Sequence, residues 1–243
     1  QRLVADAAAQ GARLVLLPEY WPIMGMQEND KLANAELAGD GVIQRCMREL
    51  AQQHGVWLIG GTLPLQSSEA GKVLNTTLVF NPQGECVARY DKMHLFGFCK
   101  GEESYDESRT IMSGDGVGFF EAPFGRVGLS VCYDLRFPEL YRAMGECALI
   151  VVPAAFTWTT GQAHWEILLR ARAIENQCYV LAAAQGGEHR NGRRTWGHSM
   201  LVDPWGTVVA ELPEGEGVVT GFLDAGLLHS VRESLPALAH RRL

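Results

Sequence analysis

The segment GRVGLSVCYDLRFPELYRAMGECALIVVP, residues 125–153, carries the clearest signal of fold class in the sequence. It begins with an apolar run that predicts a buried strand ending just before Cys132. Pro138 suits the first turn of a helix, and Gly145 is a natural stop for that helix. A second apolar run, 147–153, predicts another buried strand. Strand, helix and strand in this order are typical of an α/β protein.

The same alternation continues on both sides of this stretch. Helices are predicted at 1–10, 36–53 and 163–177, and strands at 13–18, 56–64, 73–80, 86–90 and 178–184. Residues 198–212 predict a hairpin, while the segment 97–116, rich in Gly, Ser and acids, predicts a long ordered loop. Because there is no repeat, linker or break in composition, we expect one domain over 1–243, an α/β sheet with helices on its face.

Composition argues against several functional classes. Lys and Arg number 21 against 28 Asp and Glu, and a net charge of −7 lacks the basic field that nucleic-acid binding needs. The six cysteines contain no Cys-x-x-Cys pair and the seven histidines are scattered, so no metal site is predicted. The uncharged run from Cys147 to Trp165 is apolar only in its first half, so we expect no membrane helix. No signal-peptide pattern opens the chain, and we expect a cytoplasmic protein with reduced thiols.

Three reactive side chains lie at or near the ends of β-like runs. Glu19 closes LVLLPEYW, where an apolar setting can raise the pKa of a carboxyl group and make it a base. Lys92 lies among the aromatic residues of YDKMHLF. Cys132 stands between a strand and a helix, where a thiol can be held exposed and nearby positive charge can lower its pKa. Taken singly, each is more often structural: a surface carboxylate, a snorkelling lysine or an inert buried thiol.

Together, these residues and their neighbours resemble the nitrilase, or carbon–nitrogen hydrolase, superfamily. The catalytic Glu, Lys and Cys of that family lie in motifs similar to LPEYW (17–21), KMHLF (92–96) and GLSVCYDLRFPEL (128–140). Glu107, which precedes a Ser, resembles a further glutamate of the family. All the motifs occur in the family's order and spacing. The resemblance also covers 164–185 and 197–210, so it runs over nearly the whole chain.

The resemblance implies an α-β-β-α sandwich that hydrolyses a non-peptide C–N amide bond without a cofactor or metal. It implies that Cys132 attacks the amide carbon, Glu19 moves the protons and Lys92 stabilises the oxyanion. Glu107 would hold Lys92 or the substrate in place. A Cys–His dyad is not indicated, because no His lies near Cys132 in the sequence.

The resemblance also implies an assembly and an extent for the chain. We expect a homodimer or larger homo-oligomer, packed near the predicted helices at 137–145 and 163–177. Members of the family begin with a strand before the first helix, whereas this sequence starts inside that helix. We therefore expect the first strand and a C-terminal tail to be missing here.

Within the superfamily, RFPEL (136–140) and AAAQGGEH (182–189) look most like the deaminated glutathione amidase branch. The omega-amidase branch, whose substrate is α-ketoglutaramate, is similar through the same blocks, and aliphatic nitrilases fit less well. A catalytically silent binding protein on the same fold is a further alternative. The full Glu–Lys–Glu–Cys set argues against it, because a silent member has no physical reason to keep all four residues.

Candidate substrate-binding residues follow from position and charge. Tyr133, Phe156 and Trp158 follow predicted strand ends and are expected to line the pocket, unless they are ordinary core aromatics. Arg193 and Arg194 lie in a basic loop, and the planar guanidinium suits a substrate carboxylate. The alternative for that loop is plain solvated surface.

Overall fold

The computed structural model describes residues 1–27, 29–101 and 103–242. The α-helices are Arg2–Ala9 (α1), Asp30–Ala33 (α2), Val42–His54 (α3), Pro138–Ala143 (α4), Trp158–Asn176 (α5) and Ala225–Ser234 (α6). Short 3₁₀ helices occupy Glu107–Arg109 and Cys132–Arg136. Of the helices in the described ranges, none combines the length and the apolar character that a membrane crossing requires.

The strands fall into a first and a second series along the chain. The first series is Leu14–Leu16 (β1), Trp57–Ile59 (β2), Leu63–Gln66 (β3), Val73–Phe80 (β4), Cys86–Asp91 (β5), Gly97–Lys100 (β6), Glu103–Asp106 (β7) and Ile111–Met112 (β8). The second series is Gly118–Ala122 (β9), Gly125–Leu129 (β10), Leu149–Ala154 (β11), Tyr179–Ala184 (β12), Gly186–Glu188 (β13), Arg194–Trp196 (β14), Ser199–Val202 (β15) and Val208–Leu212 (β16).

Two large sheets carry most of these strands. The first sheet has the order β1-β2-β4-β3, and β5 and β8 also pair with β4. The second has the order β16-β15-β12-β11-β10-β9. In the second sheet β10, β11 and β12 run parallel, and antiparallel strands flank them on both sides. The candidate nucleophile and its neighbours therefore follow the carboxyl ends of parallel strands, where α/β sheets place their sites.

The two sheets pack face to face, and helices cover both outer surfaces. Neighbouring residues of β2 point to opposite faces of the first sheet. Leu58 packs with the apolar side chains of α1 and α3, whereas Ile59 packs into the core between the sheets. On the other side, Trp165 and Leu169 of α5 join the same core as the second sheet. The layer order is α-β-β-α, as the resemblance implied, and this fold class is confirmed.

One predicted helix begins later than its apolar spacing indicated. Residues 36–41 form turns and take part in two isolated bridges, and α3 starts at Val42. The Glu36 carboxylate accepts the backbone N–H groups of Ile43 (2.6 Å) and Gln44 (3.2 Å), which no preceding helical turn could satisfy. A side chain therefore replaces the first turn of the predicted helix.

The prediction of a long loop over 97–116 is wrong. The segment contains the β6–β7 hairpin, a 3₁₀ turn and β8, and Gly97 pairs with Asp106 across the hairpin. Its polar, largely exposed residues lack the apolar alternation that marks a strand in sequence. The run 56–64 is likewise divided into β2 and β3, because the chain turns at Gly61 with a φ of +51°.

Candidate active site

Cys132 lies in a strained turn at the end of β10. Its φ is 49°, a left-handed value that a residue with a side chain seldom adopts. The Asp134 carboxylate accepts the N–H of Val131 at 2.8 Å and so closes the turn around the cysteine. Because such strain persists only where neighbouring contacts fix it, the local structure holds the thiol in one place.

The buried Asp134 side chain connects this turn to the strand that leads to Lys92. Its Oδ2 accepts the hydroxyl of Tyr90 at 2.7 Å, and its Oδ1 accepts the backbone N–H of His94 at 3.0 Å. Sequence reasoning missed Asp134. Asp134 lies in the first turn of the 3₁₀ helix Cys132–Arg136, which precedes the predicted helix at Pro138 and was not itself predicted.

Glu19 follows β1 and is held through both carboxylate oxygens. Its Oε1 accepts hydrogen bonds from Asn75 Nδ2 and Lys92 Nζ, each at 2.9 Å. Its Oε2 accepts the backbone N–H of Ala155 at 2.8 Å, just beyond the end of β11. Asn75 was also missed, although a polar residue inside the apolar strand VLNTTLVF is an unusual signal.

Lys92 is buried between two carboxylates. Its Nζ lies 2.9 Å from Glu19 Oε1 and 2.8 Å from Glu107 Oε2. Burial alone would lower the pKa of Lys92, but Glu107 and Glu19 outweigh it and raise that pKa above its ordinary value. Burial would likewise raise the pKa of Glu107, whereas the charge of Lys92 lowers it to about 2. The lysine is therefore charged at neutral pH.

The expectation of an exposed thiol with a lowered pKa is wrong for Cys132. The residue is only 7% exposed, and burial raises its pKa well above the ordinary value. Glu19 raises the pKa further, while the charge of Lys92 acts in the opposite direction. Because a buried thiol keeps its proton at neutral pH, a base must take that proton before the sulfur can attack.

A small cavity opens beside the thiol. Its lining includes five of the predicted site residues: Glu107, Cys132, Tyr133, Phe156 and Arg193. Phe96, Thr157 and Thr160, which sequence reasoning did not single out, also line it. The cavity therefore joins the candidate nucleophile to an aromatic wall and one arginine.

Trp158 and Arg194, the two other predicted pocket residues, do not line this cavity. Trp158 is the first residue of α5, and its ring stacks edge-on against Trp196 with centroids 4.8 Å apart. The Arg194 guanidinium covers the Trp158 ring at 3.4 Å from its centroid. The two side chains therefore pack against each other and do not contact the cavity.

Arg193 reaches the cavity from the loop after β13. Its Nη2 donates to the carbonyl of Ala155 at 3.1 Å, and its guanidinium lies 5.1 Å from the ring centroid of Tyr105. Its Nε is buried and has no hydrogen-bond partner within the described residues. In those residues, no group of three His, Cys, Asp or Glu side chains is placed to hold a metal ion.

Known proteins resemble this chain over nearly its whole length. The family model described as carbon-nitrogen hydrolase matches residues 1–233. The chain is 43% identical to a deaminated glutathione amidase of Yersinia enterocolitica over 96% of this chain and 82% of the relative. It is 38% identical to an omega-amidase of Homo sapiens over 98% of this chain and 86% of the relative.

A solved structure agrees as well. The crystal structure of the C. elegans NitFhit protein superposes with a TM-score of 0.89 and 41% identity, over 99% of this chain and 60% of that one. The match of the family model and the level of identity to these relatives establish common descent. The chain belongs to the carbon–nitrogen hydrolase family.

Proposed function

We propose that this protein is an amidase of the deaminated glutathione amidase type, which cleaves a C–N amide bond through a thioester on Cys132. The observation that carries the proposal is the position of Lys92. Its ammonium bridges Glu19 and Glu107, and the charge acts on the buried thiol beside a small cavity. A base, a fixed cation and a nucleophile are the groups that acyl transfer needs.

In the first half of the reaction, Glu19 accepts the thiol proton while the Cys132 sulfur bonds to the amide carbon. The C=O electron pair moves to the oxygen, where Lys92 and the backbone N–H of Tyr133 stabilise the negative charge. Donors of this kind contribute about 3–4 kcal/mol each. Glu19 then returns the proton to the nitrogen as the C–N bond breaks, so ammonia leaves and the thioester remains.

In the second half, water replaces ammonia. Glu19 removes a proton from the water as its oxygen attacks the thioester carbon, and Lys92 again faces the oxyanion. The C–S bond breaks, the carboxylic acid forms and the sulfur recovers its proton from Glu19. Glu107 does not change its protonation state in this scheme, because its pKa lies far below neutral pH.

The substrate is proposed from charge and similarity. Deaminated glutathione carries a keto-acid end and a distant glycine carboxylate, whereas the smaller α-ketoglutaramate lacks that second carboxylate. Arg193 is the arginine that lines the cavity, and its buried Nε has no partner in the described residues. A guanidinium donor of this kind suits a carboxylate. The omega-amidase alternative is supported by the 38% identity to the human enzyme.

The test is a panel of ω-amides that includes both substrates, with released ammonia as the readout. We expect the wild type to prefer deaminated glutathione, and Cys132→Ala to release no ammonia. Intact-mass analysis with a slow amide should detect an acyl adduct that is absent from the variant. An adduct on Cys99 or Cys178 would overturn the assignment, and a wild type that acts on none of the amides would favour the silent binding protein.

Arg193 is tested by comparing two arginine variants. Arg193→Ala should raise the KM for deaminated glutathione more than the KM for α-ketoglutaramate, because only the former has the distant carboxylate. Arg194→Ala is the matched control, since this neighbour covers Trp158 and not the cavity. Equal effects of Arg193→Ala on both KM values would mean that the loop only supports the fold. A wild-type preference for α-ketoglutaramate would indicate an omega-amidase.

A further inference from the structure

Tyr20 is the residue after Glu19, yet its side chain serves the other glutamate of the site. Its phenol donates a hydrogen bond of 2.7 Å to Glu107 Oε1. The residue is buried and has a φ of 57°, and its backbone N–H donates to Thr62 Oγ1 at 2.9 Å. A tyrosine in this backbone conformation is strained, and the contacts at both of its ends fix it in place.

The two oxygens of Glu107 have different partners. Oε2 accepts Lys92 Nζ and the backbone N–H of Phe96, each at 2.8 Å. Within the described residues, the hydrogen bond to Oε1 comes from Tyr20. Rotation of a glutamate carboxylate about its terminal bond is soft, so a group held through one oxygen can still turn. The Tyr20 phenol removes this freedom and thereby fixes the oxygen that Lys92 uses.

A second cation lies on the face of the Tyr20 ring. Lys31 of α2 places its Nζ 3.8 Å from the ring centroid, which is within the range of a cation–π contact. This contact holds the ring against its partner and brings positive charge near Glu107. Burial, followed by the charges of Glu107 and Glu19, raises the pKa of Tyr20 well above its ordinary value. The phenol therefore stays protonated and remains a donor.

We propose that Tyr20 is a positioning residue that fixes the Glu107–Lys92 ion pair, so that the Lys92 ammonium meets the oxyanion in one orientation. Tyr20 does not line the cavity, and it acts through Glu107 rather than on the substrate. The inference rests on the proposed function, in which Lys92 stabilises the oxyanion. Under this proposal, Tyr20, the neighbour of the base Glu19, serves to align the Lys92 ammonium.

The variant Tyr20→Phe removes the hydroxyl and keeps the ring under Lys31. We expect kcat to fall about tenfold, the size of effect that follows when a charged group loses one hydrogen bond, while KM changes by less than about twofold. A kcat at the wild-type level, or a rise in KM alone, would overturn the proposal.

Tyr179→Phe is the matched control. Tyr179, at the start of β12, is also buried and does not line the cavity. Its hydroxyl accepts the N–H of Asp224 at 3.0 Å. Its kcat and KM should equal those of the wild type. In the Glu107→Gln background, Tyr20→Phe should have little further effect, because the two residues act as one unit. Fully multiplicative losses would show that Tyr20 acts independently of Glu107.

A readout without substrate separates this inference from the proposed function. The rate at which iodoacetamide alkylates Cys132 is to be measured by peptide mass. Since the Lys92 charge favours the thiolate, looser positioning should slow alkylation several-fold in Tyr20→Phe and leave Tyr179→Phe unchanged. An unchanged rate in Tyr20→Phe would overturn the positioning role. A slowed rate in a protein that releases no ammonia from the panel would support the role and contradict the proposed substrates.

Discussion

The buried charges of the site constrain one another at the level of single residues. Lys92 is the cation between two carboxylates, and a buried charge is tolerated only when it is paired and hydrogen-bonded. A thiolate on Cys132 would add a third negative charge near one positive charge. A neutral thiol in the resting state avoids this extra negative charge. We therefore expect the proton to leave the sulfur as the sulfur attacks the substrate, rather than before.

The lowered pKa of Glu107 makes stability depend on acid pH. The native pKa is about 2 against an ordinary value of 4.5, so the unfolded chain binds a proton in this window that the native protein does not bind. The stabilisation is present above about pH 4.5 and is lost as the pH falls towards 2. Glu107→Gln should have a lower Tm than the wild type at pH 6, and the gap should narrow in scanning calorimetry as the pH falls to 3.

The control for this measurement is Glu233→Gln, which removes one carboxylate from the exposed side of α6. It should follow the wild-type Tm at each pH. A gap between the wild type and Glu107→Gln that stays constant from pH 6 to pH 3 would contradict a carboxylate held ionised by Lys92.

Sequence reasoning found the reacting groups more readily than the groups that orient them. Glu19, Lys92 and Cys132 stand beside predicted β-like runs, and the resemblance of their motifs to those of a known family selected them. Tyr20 and Asp134 contact partners 87 and 44 residues away in the sequence, and no local pattern records such a pairing. The raised pKa of Cys132 was missed for the same reason, since burial arises only when the sheets pack.

At the scale of elements, strand ends place the site. Cys132 follows β10, Ala155 follows β11 and Lys92 follows β5, while Glu19 lies three residues beyond β1. The apolar runs predicted β1, β10 and β11, because buried strands need apolar residues on both faces. The β6–β7 hairpin and α6 were not predicted, since few of their residues are buried and their apolar pattern is weak.

Gly61 controls the position of the segment that carries Glu19. A Cβ at this residue would lie 2.0 Å from the carbonyl oxygen of Pro18, so a side chain must displace the backbone just before Glu19. Gly61→Ala should therefore lower both the Tm and kcat. Gly55→Ala is the matched control, because Gly55 has a similar φ of +61° and no atom within 4 Å of the added Cβ.

Gly55→Ala should cost only the left-handed strain, about 1–2 kcal/mol, and leave kcat unchanged. Thermal unfolding and ammonia release measured on both variants make the comparison. Equal losses of Tm with wild-type kcat in both variants would mean that the approach of Gly61 to Pro18 does not position Glu19.

At the scale of the whole molecule, the site spans the two sheets. Glu19 and Lys92 come from the first sheet, whereas Cys132 and Ala155 come from the second. The hydrogen bond between Glu19 Oε2 and the Ala155 N–H joins the two sides directly. Because base and nucleophile meet only when the sheets pack, a loss of packing in the core between them should reduce activity before the individual sheets unfold.

The outer face of α5 leads to the prediction for assembly. Ile167 and Ile174 are seven residues apart on this helix and are 69% and 50% exposed. Trp205, which precedes the Gly206 that contacts Arg170 and Ile174 of this helix, is 61% exposed. Exposed apolar groups that lie together are typical of an interface. We expect light scattering at micromolar concentration to give at least twice the chain mass of 26.7 kDa.

Ile167→Asp should shift this protein to the monomer, because a carboxylate buried in an apolar interface has no partner. Val42→Asp is the control: Val42 is 72% exposed at the start of α3, on the opposite outer layer of the sandwich. It should keep the wild-type mass. A wild type that scatters as a strict monomer, or a control that dissociates as readily as Ile167→Asp, would contradict an assembly through α5.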